Sequence, residues 1–112
     1  MQTQLIGDYN FPNALAAITI GHFFGVEAAK IDKALHEYEP RNNRSQLKKT
    51  ADNTLIIDAY NANPTSMLAA ISNFHNMQAG GKMLILGDMR ELGKDSPGEH
   101  QKIVDCLEEY GF

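Results

Sequence analysis

The sequence predicts an α/β fold in which a helical first part is followed by the start of a parallel sheet flanked by helices. Three stretches carry that reading. Leu55, Ile56 and Ile57 form a short apolar run with β-branched residues, the pattern of a strand covered on both faces. Asn63-Pro64 then opens a helix whose apolar residues recur as Met67, Leu68, Ile71, Phe74 and Met77. Gly80-Gly81 ends it, and Lys82 to Leu86 supplies a second apolar strand. Strand, helix and strand over residues 54–86 read as a right-handed βαβ unit.

The elements follow in order. Leu5 and Ile6 make a short apolar segment ended by Gly7. Pro12 suits the first turn of an Ala-rich helix that Gly25 terminates, and its many apolar residues imply a well-buried helix. A second helix, from about Val26 to Tyr38, sets Ile31, Ala34, Leu35 and Tyr38 on one face and charges on the other. Pro40 stops it. The polar segment EPRNNRSQ, with two consecutive asparagines that favour a turn, marks a linker at residues 41–45 and hence a domain boundary. Strands at Gln46 to Lys49 and Thr54 to Asp58 flank a turn at residues 51–53. The last helix carries a start signal, with Ser96 as N-cap, Pro97 first and Glu99 where a capping box places an acid; Ile103, Val104, Leu107 and Tyr110 form its apolar face.

Composition narrows the function. With 112 residues, 43% hydrophobic and 21% charged, the chain is long enough for a small core and is not of disordered type. A formal charge of −4 gives no support to a general nucleic-acid or anionic-membrane surface, so any phosphate recognition is local. The single cysteine, Cys106, excludes an internal disulfide and reads as packing, since no basic neighbour flanks it. His22, His36, His75 and His100 are too scattered for a zinc site, and the first three receive no role. The methionines and phenylalanines fall on helix faces and read as core. The absence of a signal peptide or a long apolar run favours a cytoplasmic location.

The polar turn Asp58, Tyr60, Asn61 and Asn63 opens at the carboxyl end of a strand and the amino end of a helix, the edge at which open α/β sheets bind ligands. Gly87 begins a second loop, GDMRELGKDS, placed to face it. Three pieces in this order, GDYNFPNALAA, Arg44 in the linker, and IIDAYNANPTSM followed by LILGDMRELG and His100, resemble the Mur ligases of bacterial cell-wall synthesis. The resemblance covers nearly the whole chain. It implies that residues 1–40 are the tail of a central ATP-binding domain, 41–45 an interdomain linker, and 46–112 the start of a Rossmann-like carboxy-terminal domain. DAYNANPTSM together with GDMRELG points, within that family, to an ATP-dependent ligase that adds D-alanyl-D-alanine to UDP-N-acetylmuramoyl-tripeptide through an acyl phosphate.

By the same resemblance, Asn13 lies against adenine, for which an amide offers both donor and acceptor, and Asn10 belongs to the same Asn-x-x-Asn pair or caps the helix. Arg44 reaches the ATP phosphates, with Arg41 as a competitor should the register slip. Asp58 contacts the nucleotide near its ribose, and Tyr60 and Asn61 complete the nucleotide-facing turn. Asn63 is a substrate contact or simply an N-cap. Asp88, Arg90, Glu91 and His100 match a stretch near the dipeptide acceptor; Arg90 pairs with its carboxylate or forms a surface salt bridge, and His100 contacts substrate or is a structural hydrogen-bonding residue. No G-x-x-x-x-G-K-[ST] phosphate loop occurs, and the family's Mg2+ ligands and carbamylated lysine have no counterpart here. The chain is therefore expected to be inactive alone and to bind ATP only weakly. Other readings are a non-catalytic α/β binding or interaction module and a folylpolyglutamate synthetase; the YNANP and GDMRELG pair argues against the latter.

Overall fold

The computed structural model describes residues 2–41 and 43–112. Met1 and Asn42, the latter one of the two asparagines expected to turn the linker, lie outside the described residues. The chain divides into two compact units, Met1–Tyr60 and Asn61–Phe112, so the linker and the strands that follow it group with the preceding helices.

In the first unit a 3-10 turn, Asp8–Asn10, leads into helix α1, Phe11–Phe23, with Pro12 in its first turn where no N–H is needed. Gly7 enters that turn at φ 87, and a Cβ there would collide with the Tyr9 ring, so the position requires glycine. The α1 carboxyl end closes as expected: Gly25 is left-handed, its N–H donates to the His22 carbonyl, and the Val26 N–H donates to the Gly21 carbonyl. Helix α2, Ala28–Glu37, packs on α1 where Gly21 leaves room for Ile31. Its charged face carries the ion pairs Lys30–Glu27 and Lys33–Glu37. The amino-terminal segment is tied to the end of α2 by Gln4 Nε2 donating to the His36 carbonyl and by His36 Nδ1 at 3.2 Å from the Gln2 carbonyl.

The expectation that α1 is well buried is not met. Ala14 is buried, but Phe11, Leu15, Ile20, Phe23 and Phe24 are exposed, Phe23 at 82%. A helix that is apolar all round needs cover on every side, and within this unit one helix covers one side. Phenylalanines 11, 23 and 24 and Met83 are accordingly not core residues.

Strands β1, Gln46–Lys49, and β2, Thr54–Ile57, form an antiparallel hairpin in the register Gln46↔Ile57 to Lys49↔Thr54. Thr50 closes the turn, its N–H and hydroxyl both donating to the Asn53 carbonyl while Oγ1 accepts from the Asn53 N–H. Leu55 is exposed, so β2 is not covered on both faces.

The second unit pairs helix α3, Pro64–Asn76, with helix α4, Ser96–Tyr110. Ile71, Met89 and Ile103 form its buried centre, with Met67, Leu68, Leu84 and Leu107 packed around them. His75 stacks on Tyr110 at 4.3 Å, and left-handed Gly111 ends α4. The α/β class holds, but the βαβ unit expected over residues 54–86 does not form. Among the described residues the one sheet is the β1–β2 pair, and Lys82 to Leu86 joins no ladder. Of its side chains Leu84 faces the core, while Met83, Ile85 and Leu86 are exposed, Ile85 at 87%. The expected capping box on α4 is also absent. A 3-10 turn, Gly93–Asp95, runs directly into the helix, Asp95 occupies the N-cap, the Ser96 hydroxyl lies 3.2 Å from His100 Nδ1, and Glu99 pairs with Lys102.

Candidate nucleotide site

The first unit gathers residues far apart in sequence around one hydroxyl. Ser45 is 6% exposed, and its Oγ lies 2.8 Å from the Tyr9 hydroxyl, 3.3 Å from Asn10 Nδ2 and 3.3 Å from Asp58 Oδ2. Tyr9 also reaches Asp58 Oδ2 at 3.5 Å. Burial pushes the Tyr9 phenol up from its ordinary value; the Ser45 hydrogen bond opposes that rise and the Asp58 charge adds to it.

Asn10 is fully engaged. Its Nδ2 donates to the Ile6 carbonyl at 2.7 Å and to Ser45, while its Oδ1 accepts from Asn13 Nδ2 at 3.1 Å. Asn13 is exposed, with one N–H committed to Asn10 and its Oδ1 without a partner among the described residues. An adenine edge needs an acceptor and a donor side by side, and Asn13 retains both. A cleft of about 290 Å³ beside Asn10 is lined by Thr3, Leu5, Gly7, Asp8 and Phe11.

Arg44 lies over the Tyr60 ring, 3.7 Å from its centroid, which brings the linker arginine onto the turn that follows β2. The main chain holds the same two segments together: the Ala59 N–H donates to the Asn43 carbonyl at 2.8 Å. Asn43 and Ser45 are left-handed, at φ 57 and 46, so Arg44 is flanked by two unusual backbone conformations. Arg41, the competing candidate, instead approaches Glu39 at 3.9 Å on the exposed surface. Neither Tyr9 nor Ser45 receives a role of its own from the sequence.

The second unit holds the remaining candidates. Asn61 is exposed. Asn63 is the N-cap of α3: its Oδ1 accepts from the Ser66 N–H at 2.9 Å, and Ser66 Oγ accepts from the Asn63 N–H at 3.3 Å. Arg90 and Glu91 are exposed, Glu91 at φ 64, and neither forms an ion pair among the described residues, so the surface salt bridge considered for Arg90 is not present. His100 Nδ1–H donates to the Ser96 carbonyl at 2.8 Å, which leaves Nε2 to accept from the Met89 N–H at 3.2 Å; Asp88 Oδ1 lies 3.5 Å from Nε2. His100 thus fastens the GDMRELG loop to α4. Burial, then the Glu109 charge, push the Cys106 thiol up from its ordinary value.

Among the described residues no cluster of three or more His, Cys, Asp or Glu side chains is placed to hold a metal, and no helix is long and apolar enough to cross a membrane. What the first unit offers is a carboxylate, a guanidinium on an aromatic ring and an exposed amide with an open acceptor.

Residues 43–110 match the family model described as Mur ligase, glutamate ligase domain. The chain belongs to the Mur ligase family. Its sequence is 45% identical over 91 residues to the UDP-N-acetylmuramoyl-tripeptide–D-alanyl-D-alanine ligase of Bacillus subtilis, covering 80% of this chain and 20% of that protein. It is 35% identical to the ligase of the same name from Treponema pallidum, over 92% of this chain and 22% of the relative. A crystal structure of MurF from Acinetobacter baumannii superposes with a TM-score of 0.80 at 37% identity, covering 91% of this chain and 22% of that one. The chain therefore spans about one-fifth of the length of these relatives.

Proposed function

We propose that these residues form part of an ATP-dependent ligase that adds D-alanyl-D-alanine to UDP-N-acetylmuramoyl-tripeptide in the cytoplasm, as a step in making peptidoglycan precursor. The observation that carries the reading is the gathering of Asn10, Asp58, Arg44 and Tyr60 in one unit of a Mur ligase family chain. Residues 1–40 are then the tail of the central ATP-binding domain, 41–45 the linker, and 46–112 the beginning of the carboxy-terminal Rossmann-like domain. The exposed apolar side chains of α1 and of Met83 and Ile85 support a fragment, since apolar surface of this extent needs cover.

In that reaction ATP activates the tripeptide carboxylate as an acyl phosphate, which the dipeptide amine then attacks. The residues present here bind and orient. Asn13 meets the adenine edge, Asp58 accepts from a ribose hydroxyl, and Arg44, held by Tyr60, presents a permanent charge to phosphate oxygens. Phosphoryl transfer depends chiefly on positioning and charge neutralisation, so residues that only position are part of its chemistry. Asp88, Arg90 and Glu91 stand on an exposed loop suited to the dipeptide carboxylate, with Arg90 as its partner.

The test is a ligase assay on the full gene product with both substrates, following phosphate release from ATP. Release that requires both the tripeptide nucleotide and D-alanyl-D-alanine supports the reading; release with a glutamate acceptor and a folate instead would replace it. The 112-residue chain itself is expected to be inactive and to bind ATP no more tightly than millimolar, and a micromolar dissociation constant by calorimetry would contradict that expectation.

A further inference from the structure

Ser45 is the least exposed polar residue among the described residues of the first unit and sits where the linker, the start of α1 and the end of β2 meet. A hydroxyl has one proton and two lone pairs, and here all three are assigned by their partners. An ionised Asp58 accepts only, so the Ser45 O–H donates to its Oδ2; the Tyr9 O–H and the Asn10 amide then donate to Ser45 Oγ. The serine also holds a left-handed backbone, φ 46, that a non-glycine residue adopts at a cost. Together with the Ala59–Asn43 bond, this fixes the linker to the turn after β2 by one side-chain and one main-chain contact.

From this geometry we infer that Ser45 is a positioning residue for nucleotide binding: its hydroxyl holds the Asp58 carboxylate in place relative to the linker that carries Arg44. This inference rests on the nucleotide reading given above. It assigns the two Asp58 oxygens separate tasks. Oδ2 is held by Ser45, with the Tyr9 hydroxyl 3.5 Å away, and Oδ1, without a partner among the described residues, is the oxygen offered to a ribose hydroxyl.

The experiment measures ADP affinity of the full gene product by calorimetry for wild type, Ser45→Gly, Ser45→Ala, Asp58→Ala and the double variant Ser45→Gly/Asp58→Ala. Glycine accepts the left-handed backbone, so Ser45→Gly removes the hydroxyl without the conformational cost that alanine retains, and it carries the test should Ser45→Ala fail to fold. Loss of the positioning contact is expected to raise the ADP dissociation constant about tenfold in Ser45→Gly, the effect of one hydrogen bond's preorganisation. In the Asp58→Ala background the same change is expected to do nothing further, to within about twofold. That non-additivity is a readout that a merely structural role would not produce. If Asp58→Ala leaves ADP affinity unchanged, or wild type does not bind ADP, the nucleotide reading falls and this inference with it. If Asp58→Ala weakens binding and Ser45→Gly does not, or if Ser45→Gly weakens it equally in both backgrounds, the role of Ser45 is overturned and the nucleotide reading stands.

Discussion

Replacing His100 by leucine isolates one bond in the second unit. Leucine keeps a side chain of similar bulk on α4 but removes the acceptor at 3.2 Å from the Met89 N–H. Met89 is 3% exposed and belongs to the buried centre with Ile71 and Ile103, so its N–H has little access to water once the imidazole is gone. Leaving such a donor unpaired costs about 1–3 kcal/mol, and the accompanying loss of the bond to the Ser96 carbonyl leaves no charge or donor buried. A value near 2 kcal/mol corresponds to roughly a thirtyfold shift in a local opening equilibrium. Hydrogen exchange of the Met89 amide, followed by NMR, reads that quantity directly; it should accelerate by about that factor in His100→Leu and much less in His100→Gln, whose side-chain carbonyl oxygen can accept in place of Nε2. Equal protection of Met89 in wild type and His100→Leu would show that the imidazole does not hold the loop.

Tyr9 predicts alkaline behaviour. Its folded pKa is raised above the ordinary 10.0, so its contribution is fully present below about pH 10 and is lost as the pH climbs through the folded value. Thermal unfolding of wild type should fall more steeply above pH 10 than that of Tyr9→Phe, and parallel curves would refute it. Asn63→Ala removes the side chain that accepts from Ser66 N–H and should destabilise the α3 start by about 1 kcal/mol in denaturant titration, with Asn63→Asp close to wild type. Ile71→Ala, at a site 1% exposed, should cost about 2–5 kcal/mol by the same measurement; a cost under 1 kcal/mol would mean that Ile71 is not the centre of this core.

The helices were legible because their signals are local. Pro12, Gly25, Asn63-Pro64 and the apolar spacing of α3 each act within a few residues, and each appears where it was read. The strand pairing was not, because an apolar run states that a segment favours extension and not which segment it meets. Thr54–Ile57 found Gln46–Lys49 across a four-residue turn, whereas the equally apolar Lys82 to Leu86 has no strand partner among the described residues. Site residues divide the same way. Arg44, Asp58 and Tyr60 were marked by motif. Ser45 was missed because what singles it out is convergence: its partners lie 36, 35 and 13 residues away, and nothing in RNNRSQ distinguishes it from an ordinary turn serine. Its left-handed backbone is also invisible in a residue type that seldom adopts one.

What separates a binding residue from a structural one in this chain is how much of its hydrogen-bonding capacity is already used. Asn10 spends both N–H groups and an acceptor site within the protein, so it has little left to offer. Asn13 and Asp58 are each tied through one polar atom and open at another. Arg44 is located by its contact with the Tyr60 ring, 3.7 Å from the centroid, and makes no hydrogen bond or ion pair among the described residues. One anchored atom and one free atom is the arrangement that lowers the entropy cost of binding without consuming the contact itself. By that criterion we propose Asn13, Arg44 and Asp58 as the ligand-facing residues, with Asn10, Ser45 and Tyr9 as the frame that holds them.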